Sequence, residues 1–244
     1  MTDILQAKWE MLAGSEALAA RVADWMIERA AAVEGAFAVA LSGGSTPRRL
    51  YQLLAVGARR EKFPWPRAHW FWGDERFVPR EDSRSNYRMA WEAMLSHTPV
   101  PPDHIHAFPV EASDSGAAAL IYERELQTFY GEAALDPRRP LFEITLLGLG
   151  EDGHTASLFP RTAALDERRR WVASVRGVMP EPRLTLTYPV LESSRHVVFL
   201  VAGPEKRPAL ARFRLGDRKL PAARLRPTGE LWVFADAVAA EGGP

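Results

Sequence analysis

The chain has 244 residues, 47% of them apolar, and its 31 basic side chains balance its 31 acidic ones. This length is enough to bury the core of one large domain, and the composition is that of an ordinary folded globule. Cysteine is absent, which excludes disulfides, thiolate nucleophiles and sulfur-ligated zinc. The zero net charge argues against a general binder of nucleic acid or membrane surfaces, so any bound anion must be held locally.

The N-terminal residues MTDILQAKWEML lack the basic region and the unbroken apolar core of a signal peptide. The longest apolar runs have the length of a strand, well short of the roughly 20 residues that a membrane-spanning helix needs. We therefore expect a cytoplasmic protein.

Predicted helices and strands alternate along the chain. Apolar residues recur every three or four positions from Leu18 to Val33, which predicts an amphipathic helix over 16–33. A buried strand at 36–41 follows, and Pro47 suits the first position of the next helix, with Thr46 as its cap. The later predicted strands cover 68–73, 142–150, 184–188, 196–203 and 231–235, and the later helices cover 86–95, 113–130 and 205–214.

This alternation predicts an α/β fold with a mostly parallel, Rossmann-like sheet, flanked by helices on both faces. We interpret residues 1–244 as a single domain, since no linker or repeat divides them. Ligand sites in such folds form where loops leave the carboxyl ends of strands. Four loops at such positions carry chemically useful side chains.

The first loop, Ser42-Gly43-Gly44-Ser45-Thr46-Pro47, joins a strand to a helix. Two glycines allow close approach of the backbone to a ligand, and the start of the helix favours an anion, so the loop is a candidate phosphate cradle. A plain connecting turn is the alternative. No GKS or GKT follows, so the loop is not a Walker motif, and the G-x-S-x-G frame of a serine hydrolase is absent.

The second loop, Trp72-Gly73-Asp74-Glu75-Arg76, runs on to Ser85-Asn86-Tyr87. Two adjacent carboxylates and an arginine at a strand end could supply a base, an orienting group and an anion clamp. A surface charge cluster would have the same sequence.

The third loop, Gly148-Leu149-Gly150-Glu151-Asp152-Gly153-His154-Thr155, contains the pattern G-x-G-x-x-G directly after a strand. A dinucleotide-binding loop should open a long helix, yet only six residues separate Gly153 from Pro160. His154, held beside Asp152 at the functional end of a strand, is better interpreted as a general base, because imidazole is the side chain whose unperturbed pKa lies nearest neutrality.

The fourth loop, Gly203-Pro204-Glu205-Lys206, follows another strand at a predicted helix start. Only four of the 31 basic residues are lysines, and Lys206 is placed to bind a phosphate, although an ordinary exposed lysine is an even alternative.

His104 and His106 could be metal ligands on one side of an extended segment, but no further ligand completes a set, so we predict no metal site. The arginine runs are typical of solvated faces.

Taken together, these segments resemble the 6-phosphogluconolactonase family. The matching segments are LSGGSTPRRLY (41–51), WGDERFVP (72–79), SNYRMA (85–90), LLGLGEDGHTASLFP (146–160), RLTLTYPVL (183–191) and VVFLVAGPEK (197–206). The resemblance implies an α/β fold shared with glucosamine-6-phosphate deaminases and ribose-5-phosphate isomerases. It implies hydrolysis of 6-phospho-D-glucono-1,5-lactone to 6-phosphogluconate in the oxidative pentose phosphate pathway, with no metal or organic cofactor, no nucleic acid, no membrane and no obligate protein partner.

The resemblance also implies residue roles. His154 would be the general base that activates water, with Asp74 and Asp152 near the sugar hydroxyls or orienting the base. The residues that would bind the substrate, chiefly its phosphate, are Gly43, Gly44, Ser45, Thr46, Arg76, Asn86, Arg183 and Lys206, although no particular role attaches to Arg183.

Three alternatives stay open at this point. A glucosamine-6-phosphate deaminase carries a glutamate five residues after the histidine, whereas Phe159 occupies that position here. A non-catalytic sugar-phosphate sensor with a related fold would need a DNA-reading domain, for which this chain leaves no room. A nicotinamide-dependent dehydrogenase depends only on the G-x-G-x-x-G match.

Overall fold

The structure, a computed structural model, describes residues 2–241. Its helices are α1 (Ser15–Ala31), α2 (Ser45–Leu54), α3 (Gly57–Lys62), α4 (Asn86–Ala93), α5 (Ser115–Tyr130), α6 (Tyr188–Glu192), α7 (Arg207–Arg214) and α8 (Ala237–Ala240). Its strands are β1 (Lys8–Leu12), β2 (Phe37–Leu41), β3 (Ala68–Trp72), β4 (Asp74–Arg76), β5 (Ile105–His106), β6 (Phe142–Gly148), β7 (Val172–Val175), β8 (Arg183–Leu186), β9 (Ser194–Val201) and β10 (Glu230–Asp236).

Seven strands form one parallel sheet in the order β1-β10-β9-β6-β2-β3-β5. The two central strands β2 and β6 are almost wholly buried, which explains why their sequences are apolar runs without alternation. Because β9, β6, β2 and β3 are neighbours and all parallel, the loops that follow them leave the same edge of the sheet side by side. This order brings the four loops singled out in the sequence together.

Helices cover both faces of the parallel sheet. Trp25 of α1 packs against Phe234 of β10, which is paired in register with Leu200 of β9. Phe199, the preceding residue of β9, packs against Phe213 of α7. Successive strand residues point to opposite faces, so α1 and α7 lie on opposite sides of the sheet. The predicted fold class is confirmed.

A second sheet was not predicted. The short strands β4, β8 and β7 pair antiparallel in that order, with Asp74 opposite Thr185 and Arg76 opposite Arg183. The segment predicted as a strand over 184–188 is therefore a strand of this small sheet and not of the parallel one. It also ends earlier, because Tyr188 begins α6. Strand β4 follows β3 after a single residue, so this small sheet extends from the carboxyl edge of the large one.

One local prediction was wrong, and strand β1 was not predicted. Helix α2 begins at Ser45 with Gly44 as its cap, so Thr46 is not the cap and Pro47 is the third helical residue instead of the first. Proline is tolerated anywhere in the first turn, where the N–H groups have no partner within the helix. Strand β1, which lies before the first predicted element, pairs with β10 at the edge of the sheet.

Across residues 2–241, no helix combines the length and the apolar character needed to cross a membrane.

Candidate active site

A cavity of about 660 Å³ lies at the carboxyl edge of the parallel sheet, between the four loops and the small antiparallel sheet. Its size is within the usual range for a small-molecule site. All eleven residues that the sequence analysis assigned to a catalytic or substrate-binding role line it: Gly43, Gly44, Ser45, Thr46, Asp74, Arg76, Asn86, Asp152, His154, Arg183 and Lys206. Proximity is thus established for the whole set, whereas the role of each residue stays a prediction.

The glycine loop after β2 is held in place by Tyr51 of α2. The Tyr51 hydroxyl accepts a hydrogen bond from the Ser42 N–H at 3.0 Å and donates one to the Ser42 carbonyl at 2.9 Å. Position 43 must be glycine for packing, because a Cβ atom there would overlap with the side-chain amide of Asn86. The loop therefore lies against Asn86 and leads into the first turn of α2, whose free N–H groups favour an anion.

His154 forms a hydrogen-bonded pair with Asp152. The Nδ1 atom of His154 lies 2.6 Å from Oδ1 of Asp152, and the His154 N–H donates to the same oxygen at 3.0 Å. Burial opposes ionisation of Asp152, but these two hydrogen bonds outweigh it, so the pKa of Asp152 lies below its usual value. Because a carboxylate only accepts, Nδ1 donates the proton of this bond, which leaves Nε2 as the acceptor of the neutral imidazole. The imidazole is therefore held in one orientation by a single carboxylate.

Two neighbours shape the surroundings of His154. The ring of Phe159 lies 4.6 Å from the imidazole, centroid to centroid. Gly150 lies against the Nδ1 edge of the imidazole, so a Cβ atom at position 150 would overlap with Nδ1. The imidazole is about one third exposed, with its side chain at 31% of full accessibility. It is thus oriented by contacts on several sides and still open to a ligand.

Asp74 is nearly buried at 8% exposure and lies at the wall of the cavity. Its Oδ2 atom accepts a hydrogen bond of 2.7 Å from the Ser157 hydroxyl, and its backbone carbonyl accepts one of 2.9 Å from Nδ2 of Asn86. Asn86 therefore supports the backbone of Asp74 as well as the glycine loop.

Glu75 does not line the cavity, but it holds the second loop together. Its carboxylate accepts hydrogen bonds from the backbone N–H groups of Arg76, Asn86 and Tyr87, each at 2.7 Å, and from the Ser85 hydroxyl at 3.2 Å. Burial raises the pKa of Glu75 to about 7, against the effect of these donors. The sequence indicated a carboxylate pair at 74–75, and the structure separates it into one residue at the cavity and one that caps α4.

Two arginines face each other across β4 and β8. Arg76 and Arg183 are directly paired, which places like charges side by side, and the Nε atoms of both are buried without a hydrogen-bond partner in the described part of the chain. Burial and the charge of Arg76 lower the pKa of Arg183. Glu181 contacts Arg183 at 3.3 Å on one side. Arg76 also donates to the backbone carbonyl of Arg84, so the two Nε atoms are what an anion would have to reach to supply the missing partners.

The structure also adds residues that the sequence did not single out. Ser157, Val178 and Met179 line the cavity, and so does Glu205, which belongs to the fourth loop but had no role assigned to it. Val178 and Met179 lie at the turn between β7 and β8 and are 44% and 41% exposed. A hydroxyl three residues after His154 was a usable signal for Ser157, whereas the turn joins the cavity only through antiparallel pairing that is not visible in the sequence.

His104 and His106 belong to a cluster remote from the cavity. His69 Nδ1 lies 3.1 Å from His106 Nε2, and the rings of His69 and His104 stack at 3.8 Å. Over residues 2–241, no group of three or more His, Asp or Glu side chains has a geometry that could hold a metal ion.

The glycine loop after β6 does not have the structure of a dinucleotide-binding loop. After Gly153 no helix follows, since residues 154–162 are irregular.

The fold and the cavity define an α/β protein with a cavity of small-molecule size at the carboxyl edge of a parallel sheet. A family model described as glucosamine-6-phosphate isomerases/6-phosphogluconolactonase matches residues 13–234. The chain belongs to this family, which confirms the resemblance seen in the sequence.

Individual relatives favour one branch of that family. A 6-phosphogluconolactonase of Nostoc sp. is 41% identical over 236 residues, covering 94% of this chain and 95% of the relative. The crystal structure of 6-phosphogluconolactonase from Thermotoga maritima is 30% identical and covers 94% of this chain and 99% of its own, with a TM-score of 0.80. A monomeric glucosamine-6-phosphate deaminase, at 21% identity and a TM-score of 0.81, covers 96% of this chain and 98% of its own and shares the fold alone.

Proposed function

We propose that this chain hydrolyses 6-phospho-D-glucono-1,5-lactone, with His154 as the general base that activates water. The observation that carries the mechanism is the bond of 2.6 Å between His154 Nδ1 and Asp152, which leaves Nε2 as the free acceptor at the cavity. The names of the relatives support the substrate, and the geometry supports the role of the histidine.

The reaction requires one proton to move twice. Nε2 of His154 takes a proton from water as the water oxygen attacks the lactone carbonyl, and a tetrahedral oxyanion forms. When this intermediate collapses, the bond between C1 and the ring oxygen breaks, and the imidazolium returns the proton to that oxygen. The product carboxylic acid then ionises at neutral pH. Asp152 keeps the imidazole oriented and stabilises its charged form between the two steps.

The phosphate, remote from the reacting carbonyl, would supply binding and orientation. The groups available for it are the first turn of α2 with Ser45 and Thr46, the amine of Lys206, and the guanidinium pair of Arg76 and Arg183. Each charge-assisted hydrogen bond contributes on the order of 1.5 to 3 kcal/mol. Asp74 would then contact the hydroxyls of the sugar from the wall of the cavity.

Phe159 argues against the deaminase alternative. Its ring packs on His154 at 4.6 Å, at the position where the deaminases that this sequence resembles have a glutamate. A phenyl ring cannot take part in proton transfer, so ring opening assisted by that carboxylate is not available here. A cytoplasmic location and the lack of an obligate protein partner also stay proposals.

The proposal is tested by the release of acid from freshly generated 6-phosphogluconolactone, with release of ammonia from glucosamine 6-phosphate assayed in parallel. The wild-type chain should hydrolyse the lactone and release no ammonia. His154→Ala should lower kcat by about 10² or more while binding of 6-phosphogluconate persists. His97→Ala, at a surface histidine away from the cavity, is the control. Full turnover by His154→Ala would exclude the base assignment, and release of ammonia by the wild type would favour the deaminase.

A further inference from the structure

The hydroxyl of Ser157 is committed to one partner. Ser157 is 1% exposed, and its Oγ atom lies 2.7 Å from Oδ2 of Asp74, so its single proton is donated to that carboxylate. Bonds of this kind, from a hydroxyl to an ionised acid, are stronger than neutral ones. The two residues are 83 positions apart in the chain, and both line the cavity.

A hydrogen bond and an unusual backbone conformation fix the position of Ser157. The Ser157 N–H donates to Oγ1 of Thr185 at 3.2 Å, and Thr185 is the residue paired with Asp74 across β4 and β8. Ala156, the residue before Ser157, has φ +47°, in the left-handed region that a residue with a Cβ atom adopts at a cost. Backbone strain of this kind is about 1 to 3 kcal/mol and is retained where the surroundings require it.

This arrangement leaves Asp74 with one engaged oxygen and one available oxygen. Oδ2 accepts from Ser157, whereas Oδ1 has no hydrogen bond to any residue within 2–241. Because Asp74 lies at the cavity wall, Oδ1 is the atom that can meet a substrate hydroxyl. The bond to Ser157 stops rotation of the carboxylate, so the position of Oδ1 is set before the substrate binds.

We propose that Ser157 is a positioning residue, which acts on the reaction only through the carboxylate of Asp74, by fixing Oδ1 toward a hydroxyl of the sugar ring. This inference rests on the proposed function, and it adds a residue to the site. It places the contact at the sugar and not at the phosphate. Loss of the hydroxyl should therefore affect phosphorylated and unphosphorylated lactones alike.

The test is a double-mutant cycle with wild type, Ser157→Ala, Asp74→Ala and the double variant. We expect Ser157→Ala to lower kcat/KM about tenfold for both 6-phosphogluconolactone and glucono-1,5-lactone, and less than twofold once Asp74 is alanine. The same cycle is measured on the dissociation constant of 6-phosphogluconate by calorimetry. If Asp74→Ala has no measurable turnover, the binding data alone give the coupling between Ser157 and Asp74.

Ser194→Ala is the matched control, because Ser194 is also fully buried and hydrogen-bonded, to Thr145 at 2.8 Å, but lies outside the cavity. It should lower the melting temperature as Ser157→Ala does, with kcat/KM unchanged. Equal losses from Ser157→Ala in both Asp74 backgrounds, or none in an active wild type, would overturn the role of Ser157 alone. An inactive wild type would overturn the proposed function first.

Discussion

The carboxylate of Asp152 binds both the backbone N–H and the ring Nδ1 of His154, with the same oxygen, across only two residues of an irregular loop. One side chain thus fixes the backbone and the ring of the proposed base together. The lowered pKa of Asp152 keeps this carboxylate charged through the neutral range. Orientation and charge stabilisation of the imidazole therefore depend on a local interaction.

Asp152→Asn tests that dependence. Asparagine can still accept from Nδ1 but lacks the negative charge that stabilises the imidazolium, so we expect kcat to fall by about tenfold or more with KM little changed. Steady-state kinetics on the phosphorylated lactone measure the effect. Glu151→Gln, at the exposed neighbouring position, is the control and should behave as wild type.

Gly150→Ala tests the packing of the imidazole. The new Cβ atom would overlap with Nδ1 of His154, so the ring must turn away from Asp152. We expect a loss of kcat of about tenfold or more, since a displaced base no longer reaches the attacking water. Gly14→Ala, where a Cβ atom meets nothing within 4 Å, should leave the kinetics unchanged. Wild-type kcat in Gly150→Ala would show that the ring position is not limiting.

Lys206→Ala tests the phosphate site. Lys206 lines the cavity next to the start of α7, and its amine is expected to contact the phosphate. We expect KM for 6-phosphogluconolactone to rise about tenfold or more, which corresponds to at least about 1.4 kcal/mol, with little change for glucono-1,5-lactone. Lys219→Ala, at an exposed lysine outside the cavity, provides the comparison. Equal losses on both substrates would argue against a phosphate contact.

The histidine cluster predicts loss of stability in acid. Burial, with repulsion from His104 and His106, lowers the pKa of His69 to about 4, although Asp103 acts in the opposite direction. An unfolded chain takes up this proton near pH 6.5, so the free energy of unfolding falls as the pH drops from about 6.5 to 4. On α5, the carboxylate of Glu125 lies 2.9 Å from Nδ1 of His106, within the same cluster.

His69→Gln should therefore flatten the dependence of the melting temperature on pH between about 6.5 and 4. The raised pKa values of Glu75 and Glu192, each about 7, act with the opposite sign, because the folded chain holds those protons more tightly. The contributions of Glu75 and Glu192 cancel when the variant is compared with wild type, because both proteins contain these residues. His97→Gln is the control, and an unchanged slope in His69→Gln would contradict the role of the cluster.

Most of the candidate site was predictable because its residues follow strands that are easy to recognise. AFAVAL, which runs directly into Ser42-Gly43-Gly44, and FEITLLGLG are apolar runs, and parallel pairing places their carboxyl ends at the same edge of the sheet. The order of the strands then makes the loops that follow them neighbours. This placement at strand ends, together with the resemblance to the family, predicts one site for Ser45, His154 and Lys206. The single domain over 1–244 stays a prediction.

The sequence by itself determined the class of fold, the loops that carry the chemistry and, through the order of its motifs, the family. Only the tertiary structure revealed the small antiparallel sheet and the bond from Ser157 to Asp74. It also showed that Asp74 lines the cavity whereas Glu75 binds the first N–H groups of α4. Strand β4 has three residues, too few for a pattern to show, and the contact from Ser157 joins segments 83 positions apart. Local patterns report the burial of an element, whereas pairing between distant segments depends on the packing of the whole chain.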